Sequence, residues 1–264
     1  MTSISVVIPC YNQGRTIRET LDSVHQQTVP PAEVVIIDDG SEDMYTRQVL
    51  AEISASGTGV IRTENRGVAA ARNLGIRVTT SPYIVLLDGD DALEPQYLTK
   101  ASGLLNEQSD VDFVTCGLQA FEGADYTWTP PCTLEETIAR GGPHISTMFR
   151  RSVWHNAGGF DEELPGYEDM DFWISALRQG CKGTVLDEPL LRYRVRSNSR
   201  YHNAISAEKY VPTMAAIYRK HWPRIKGNSQ LLIQAKDDFL HEQQQYQSYL
   251  SERKSILLIQ AKDD

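Results

Sequence analysis

The segment DGDD (residues 88–91, hereafter the DGDD segment) places three carboxylates within four positions at the end of an apolar run. Carboxylate oxygens are the ligands that Mg²⁺ and Mn²⁺ prefer, commonly shared with the phosphates of a bound nucleotide. If the strand continues, period-two geometry puts Asp88 and Asp90 on the same side, and Gly89 lets another group approach closely. A divalent cation would relieve the repulsion between these carboxylates.

The same four residues are also typical of a turn. Asp and Gly favour turns, and aspartate side chains commonly cap helices. A helix is predicted to begin near Pro95, a few residues further on. The DGDD segment alone therefore supports two interpretations, a metal site and a helix-capping turn.

Two other polar clusters follow β-branched runs near the N-terminus. In PCYN (9–12), Tyr11 could stack on a nucleotide base or remain a tyrosine of a surface loop. In DDGS (38–41), Asp39 could accept a hydrogen bond from a base N–H, although Asp-Gly is also ordinary turn chemistry. Both alternatives stay open for each cluster.

Arg72 is a cation within the small-residue run NRGVAAARNLG (65–75). The alanines indicate close packing of a helix against a sheet. A guanidinium at this position could bind a base carbonyl or a phosphate, or it could form a salt bridge with one of the aspartates.

A third acidic cluster, GYEDMDFW (166–173), begins a predicted helix with Glu168, Asp169 and Asp171. The helix dipole favours carboxylates at a helix start, which is a sufficient structural reason for them. A carboxylate beside aromatic residues is also well placed to act as a general base toward a hydroxyl.

Alternating strands and helices position these clusters. Strands are predicted at residues 4–9, 33–38, 59–63, 83–88 and 112–117, and helices at 15–27, 43–55, 67–78, 95–106 and 168–180. This alternation predicts a mostly parallel sheet with helices on both faces, where ligands bind beyond the carboxyl ends of the strands. Residues 118–165 look irregular, 183–194 are strand-like and 205–221 are helical.

Composition narrows the class of protein. The 264 residues are 41% hydrophobic and carry a net charge of −9, which disfavours a nucleic-acid partner held by a basic surface. The N-terminus lacks the features of a signal peptide, and no window is apolar enough for a membrane span. The four scattered cysteines indicate reduced thiols, so we expect a cytoplasmic protein.

The order and spacing of VVIPCYN, IIDDGS, NRGVAAARNLG, LLDGDD, GGFDE and GYEDMDFW resemble the family 2 glycosyltransferases over roughly residues 3–200. The resemblance implies the GT-A fold, which is α/β with a Rossmann-like central sheet. It also implies inverting transfer of a sugar from a nucleotide diphosphate donor, commonly a UDP-sugar, and a setting in polysaccharide biosynthesis. We expect a catalytic domain over 1–222, with halves 1–117 and 118–222, and a helical tail over 223–264.

The resemblance also implies residue roles. Tyr11 would stack on the base, Asp39 would accept its imide N–H, and Asp169 would be the catalytic base. Asp90 would ligate Mn²⁺ or Mg²⁺, and Asp88 would contact the ribose or the same metal ion. The implied nucleotide-sugar-binding set is Pro9, Tyr11, Asn12, Asp39, Arg72, Asp88, Gly89, Asp90 and Arg196, with Glu168 and Trp173 on the acceptor side.

The sequence departs from the family pattern after the final strand. Many members carry a histidine in a YRxH-like segment, where this chain has Arg196 in YRVR (193–196). Arginine cannot ligate a metal but can pair with phosphate, so Arg196 could bind the diphosphate directly. His202 lies nearby and could substitute as a ligand, which leaves the dependence on metal open.

Two other functional classes have less support. A nucleotidyltransferase usually has a glycine-rich, basic triphosphate loop, which VIPCYNQGR (7–15) lacks. A non-catalytic nucleotide-sugar-binding domain has no need of Asp90 or Asp169. The glycosyltransferase interpretation therefore leads, with a saccharide, lipid-linked or protein acceptor that the sequence does not identify.

The acceptor side and the tail rest on weaker patterns. Trp128, Trp154, Tyr167 and Trp173 could form a sugar-stacking surface or pack in the core. The tail repeats LLIQAKDD at 231–238 and 257–264 and has the apolar spacing of an amphipathic helix. We expect this helix to lie on the domain. A homodimer through it, or peripheral association with the inner face of the membrane, is the alternative.

Overall fold

The structure of the protein, a computed structural model, describes residues 3–196 and 207–225. The predicted tail helix, its LLIQAKDD repeat and His202 lie outside the described residues. No described helix combines the length and the apolarity needed to cross a bilayer.

The N-terminal part alternates strands and helices as predicted. Its elements are β1 (Ile4–Cys10), α1 (Ile17–His25), β2 (Glu33–Asp38), α2 (Met44–Ala55), β3 (Gly59–Arg62), α3 (Val68–Val78) and β4 (Tyr83–Leu86). The remaining elements are β5 (Ala92–Leu93), α4 (Tyr97–Glu107), β6 (Phe113–Glu122), β7 (Thr127–Trp128), α5 (Leu134–Arg140), β8 (Met148–Arg150), α6 (Arg151–Ala157), α7 (Glu168–Arg178), β9 (Gly183–Val195) and α8 (Ala207–Ile225).

All nine described strands belong to one mixed sheet. Its order is β3-β2-β1-β4-β8-β6-β9-β5, and β7 pairs with β6. The first four strands in this order are mutually parallel, which confirms the predicted parallel core. The stretch expected to be irregular contributes β8, which lies antiparallel between β4 and β6. The expected boundary after residue 117 falls within β6, so the two halves share this strand.

The sheet is covered by helices on both faces because its strands alternate their buried side chains. Val6 and Ile8 of β1 face a cluster that includes residues of α1, α2 and α4. Val7, between them, faces a second cluster built with α3, α6 and α7. Packing of the helices removes the apolar side chains on each face of the sheet from water, and this burial is the main stabilising contribution to the fold.

Helix α8 is held against α7 by a buried polar cluster as well as by apolar contacts. Met214 and Ile217 of α8 pack against Ile174 of α7. The Asp171 carboxylate, also on α7, accepts hydrogen bonds from Lys220 Nζ at 2.8 Å and from His221 Nε2 at 2.8 Å. Asp171 and His221 are each 1% exposed, so this acidic residue of the GYEDMDFW cluster stabilises helix packing.

Candidate active site

Strand β4 ends at Leu86, and the DGDD segment forms a turn in which the Asp91 N–H donates to the Asp88 carbonyl at 3.0 Å. The strand does not continue into the DGDD segment, so the condition for placing Asp88 and Asp90 by period-two geometry is not met. The helix-capping alternative is wrong, because α4 is preceded by Gln96 and has no side-chain cap. The turn must be explained by what its carboxylates contact.

The three aspartates of the turn have different surroundings. Asp91 is 3% exposed, and its Oδ1 accepts from the Arg194 backbone N–H at 2.9 Å. Asp88 Oδ1 accepts from Arg72 Nη2 at 2.9 Å. Asp90 Oδ2 lies 3.5 Å from Arg196 Nη2, and both side chains are partly exposed. Asp91 is thus part of the interior, whereas the side chains of Asp88 and Asp90 remain partly exposed.

The surroundings of Asp90 disfavour its ionised form. Burial raises the pKa of its carboxyl above the ordinary value and the Asp88 charge adds to this, while Arg196, Gln13 and Arg194 oppose the rise. A cation bound beside Asp90 would favour its ionised form. The described residues contain no group of three or more potential ligands that could hold a metal ion. Two carboxylates plus ligand phosphates nevertheless suit Mg²⁺ or Mn²⁺, which commonly bind in this way.

Gly89 packs closely against the N-terminal part of the protein. A Cβ at this position would lie 2.6 Å from Gln13 Oε1 and 3.2 Å from the Pro9 carbonyl oxygen. The close approach that the sequence predicted at Gly89 is therefore made by the chain's own N-terminal loop.

Arg72 joins the DGDD segment to the acidic start of α7. It is 4% exposed, its Nη2 donates to Asp88, and its Nη1 donates to Glu168 Oε1 at 2.8 Å. The Phe160 ring lies under the guanidinium, 5.7 Å from ring centroid to Cζ. The structure thus shows the salt bridges of Arg72, and the predicted contact of Arg72 with the nucleotide stays a prediction.

The three carboxylates at the start of α7 are likewise distinguished by their partners. Glu168 pairs with Arg72, and Asp171 binds Lys220 and His221. Within 3–196 and 207–225, Asp169 has no ion-pair partner, and its Oδ1 accepts only the Met170 backbone N–H at 2.8 Å. Burial raises the pKa of Asp169 to about 6 and the Glu168 charge adds to this, although Arg72 and the Met170 N–H oppose it. Asp169 is therefore a half-buried carboxylate whose pKa lies above the ordinary value for aspartate.

The N-terminal clusters organise loops at the carboxyl ends of β1 and β2. Asn12 has a left-handed backbone (φ 55°), and its Oδ1 accepts from the N–H groups of Glu42 and Asp43. The two carboxylate oxygens of Asp39 accept from the N–H groups of Arg66 and Gly67 at 2.8 and 3.0 Å. Both residues order the loops at this edge of the sheet, and each Asp39 oxygen keeps a lone pair for a further donor.

Two other members of the predicted set differ in exposure. Tyr11 is 42% exposed at the end of β1, so its ring is accessible for stacking. Pro9 lies within β1, opposite Ile37 of the neighbouring parallel strand. The structure therefore leaves Tyr11 available to a ligand and places the Pro9 backbone in the sheet.

The predicted acceptor-side residues need correction. Trp173 is completely buried, with its ring centroid 4.8 Å from that of Phe113, so it is a core residue. Glu168 is also buried and is ion-paired. Trp154 donates from Nε1 to Asn73 Oδ1 at 3.0 Å, whereas Trp128 on β7 is 36% exposed. Tyr167, in a left-handed conformation, immediately precedes α7.

Sequence reasoning missed several residues that contact the DGDD segment. The Gln13 side chain lies beside Gly89 and lowers the pKa of the Asp90 carboxyl, and Thr16 donates from Oγ1 to the Gly89 carbonyl. Arg194 donates from Nε to the Asp90 carbonyl. No spacing in the sequence signals these contacts, because they depend on α1 and β9 meeting the end of β4.

Comparison with known proteins identifies a family. Residues 5–158 match the model of Glycosyl transferase family 2, which is more than half of the chain. The matched range contains the DGDD segment and Arg72 but ends before Asp169.

Curated relatives are similar over most of this chain. The uncharacterized glycosyltransferase EpsJ of Bacillus subtilis (strain 168) is 30% identical over 220 residues, or 74% of this chain and 62% of EpsJ. An uncharacterized glycosyltransferase of Rickettsia felis is 27% identical, over 78% of this chain and 35% of that protein. The chain therefore spans less than two thirds of both relatives.

Solved structures share the fold at lower identity. S. aureus TarS 1–349 in complex with UDP-GlcNAc has a TM-score of 0.71 at 22% identity, covering 90% of this chain and 72% of that one. The mannosyltransferase PcManGT from Pyrobaculum calidifontis, in complex with GDP-Man and Mn²⁺, has a TM-score of 0.66 at 20% identity, covering 88% and 68%. These neighbours support the predicted GT-A fold.

Proposed function

The chain belongs to glycosyltransferase family 2, and on that premise we propose that it transfers a sugar, with inversion, from a nucleotide diphosphate sugar to an acceptor hydroxyl. One observation carries the proposal. Arg72 joins the turn that bears Asp88 and Asp90 to the helix start that bears Asp169, a carboxylate with no ion-pair partner among the described residues. A diphosphate-binding edge and a proton-accepting carboxylate are therefore supported by one buried guanidinium.

Asp169 is the general base in this proposal. The acceptor hydroxyl loses its proton to Asp169 as its oxygen attacks the anomeric carbon. Because burial and Glu168 raise the pKa of Asp169 to about 6, it is ionised at neutral pH yet basic enough to accept a proton. Inversion follows if a single base directs attack from the face opposite the leaving diphosphate.

The donor is proposed to lie along the carboxyl ends of β1, β2 and β4. Tyr11 stacks on the base, and Asp39 accepts its imide N–H through a lone pair not used by the loop. A uracil base suits this acceptor, so we propose a UDP-sugar. Complexes of the structural neighbours hold UDP-GlcNAc in TarS and GDP-Man in PcManGT, so both nucleotides belong in the test.

The diphosphate is proposed to bind at Asp90, Asp88 and Arg196. A Mn²⁺ or Mg²⁺ ion held by the two carboxylates would neutralise the charge that develops on the leaving diphosphate. Arg196, 3.5 Å from Asp90 in the structure, can pair with a phosphate and so takes the place of the family's histidine.

The acceptor is proposed to be a saccharide, a lipid-linked molecule or a protein. Trp128 is the exposed tryptophan of the predicted stacking set, and it lies on β7 at the side of β6. The cytoplasmic location stays a prediction. So do association with the membrane surface and dimerisation through the tail, because the tail lies outside the described residues.

A thermal-shift screen tests donor binding. A UDP-sugar at about 100 times its dissociation constant, with Mn²⁺, should stabilise the protein by about 2.7 kcal/mol, and GDP-sugars and samples without Mn²⁺ complete the screen. For a chain of this size that raises Tm by about 5–10 °C. Asp90→Asn should lose most of the Mn²⁺-dependent part of the shift. Asp110→Asn, at an exposed aspartate paired with Lys182, is the matched control. If no nucleotide sugar stabilises the wild type, the proposal is wrong.

The pH profile tests the proposed base. Because Asp169 must be ionised, kcat/KM should fall about tenfold per pH unit below about pH 6 and reach a plateau above it. Initial rates from pH 4.5 to 8.5, at constant ionic strength, check this. A profile that stays flat down to pH 5 while the protein remains folded would contradict the assignment.

A further inference from the structure

The backbone carbonyls of the DGDD segment are held by side chains from α1. Thr16 immediately precedes α1, yet its hydroxyl makes no cap hydrogen bond to that helix and donates to the Gly89 carbonyl at 2.8 Å. Thr20, one turn later on the same face, donates from Oγ1 to the Asp91 carbonyl at 2.7 Å. Both threonines are buried, so these hydroxyls have no water to replace the bonds. Helix α1 thus gives up an N-cap hydrogen bond that commonly stabilises a helix.

Strand β9 holds the same segment from the other side. Arg194 Nε donates to the Asp90 carbonyl at 2.8 Å, and the Arg194 backbone N–H donates to the Asp91 carboxylate. The guanidinium is 6% exposed and is itself fixed by ion pairs with Glu19 and Glu122. The fourth carbonyl, that of Asp88, accepts from the Asp91 N–H. Every backbone carbonyl of the DGDD segment therefore has a hydrogen-bond donor.

We propose that Thr16, Thr20 and Arg194 are positioning residues that clamp the backbone of the DGDD segment so that Asp88 and Asp90 face the donor diphosphate. The inference rests on the proposed function. Two accessible carboxylates that repel each other would push a free turn open. Because the clamp acts on the backbone carbonyls, it resists this opening without neutralising Asp90, whose carboxylate is left for a cation and a ligand.

Thr16 also links the clamp to Arg196. Its hydroxyl proton is used toward Gly89, and its oxygen accepts from Arg196 Nη2 at 3.2 Å. The same hydroxyl therefore orients the DGDD segment and the arginine proposed to pair with the phosphates. Loss of the Thr16 hydroxyl should affect donor binding more than loss of the Thr20 hydroxyl.

The test compares variants that keep the shape of threonine with variants that keep its hydroxyl. T16V/T20V preserves the branched side chain without a donor, and T16S/T20S preserves the donor. We expect the valine variant to raise the dissociation constant for UDP with Mn²⁺, and the KM for the donor, about tenfold, as for one or two lost neutral hydrogen bonds. The serine variant should stay within about twofold of the wild type. If the two threonines only stabilised the fold, the valine variant would have a lower Tm but would not show a raised KM for the donor with an unchanged kcat.

Dissociation constants are measured by calorimetric titration below the unfolding temperature of each variant, so that only folded protein is titrated. If the double valine variant does not fold, the single variants T16V and T20V are measured in its place. A valine variant that binds UDP as the wild type does, or a serine variant that loses as much affinity, overturns the clamp. A wild type that binds no nucleotide overturns the proposed function itself, so the two failures are distinguishable.

Discussion

Asp169→Asn should lower kcat for sugar transfer by about 10²–10⁴-fold and leave donor affinity unchanged. Asparagine has nearly the same shape and can still accept the Met170 N–H, but its amide cannot take a proton from the acceptor hydroxyl. Steady-state transfer rates and UDP titration, measured on the same preparation, separate the chemical step from binding.

The same substitution should increase the stability of the protein. A raised carboxyl pKa means that the folded state binds more protons than the unfolded chain between about pH 4 and pH 6. Asp169 therefore costs stability progressively as pH rises through this window, and the full cost is present above about pH 6. Asp169→Asn removes a cost of about 1–3 kcal/mol, so its Tm should exceed that of the wild type at pH 8.

Asp171→Asn is the matched control on the same helix. Asp171 is bound by His221 and Lys220 and, although burial opposes this, these partners lower the pKa of its carboxyl. Its replacement should lower Tm by loosening α8. An Asp169→Asn variant with wild-type turnover, or an equal fall in Tm for both variants, would contradict the assignment of the base.

Arg72→Met should destabilise the protein by about 3–5 kcal/mol and abolish transfer. The substitution leaves the buried Glu168 and the partly buried Asp88 without their cation, and it also removes a positive charge that opposes the raised pKa of Asp169. Methionine fills a similar volume, so the loss comes from unpaired charge more than from a cavity. Urea unfolding at pH 7.5 measures the effect.

A double variant separates the two effects of Arg72→Met, the loss of charge pairing and the loss of packing. Arg72→Met with Glu168→Gln removes one of the orphaned carboxylates and should recover part of the lost stability without recovering activity. Arg72→Lys keeps the charge but lacks the planar fork that reaches both partners, so it should fall between wild type and Arg72→Met. If Arg72→Met unfolds at the same urea concentration as the wild type, the buried ion pairs do not contribute as proposed.

Local sequence patterns were sufficient for the elements and for the edge of the sheet where the site lies. β-Branched runs and helical spacing predicted β1 to β4 and the helices between them, and parallel pairing brought PCYN, DDGS and the DGDD segment to the same edge. The antiparallel β8 was missed because a three-residue strand has too little periodicity to distinguish it from a loop.

The sequence by itself determined which residue types could do chemistry and, through the resemblance, which family the chain belongs to. It could not assign each carboxylate a partner. Only the tertiary structure distinguished the partly exposed Asp90 from the buried Asp91. It also distinguished Asp169, which has no ion-pair partner in the described part of the chain, from the ion-paired Glu168 and Asp171. It likewise showed Trp173 in the core and Thr16 on the DGDD segment. The reason is physical, because a side chain's type is local, whereas its burial and its charge partners come from elements distant in the chain.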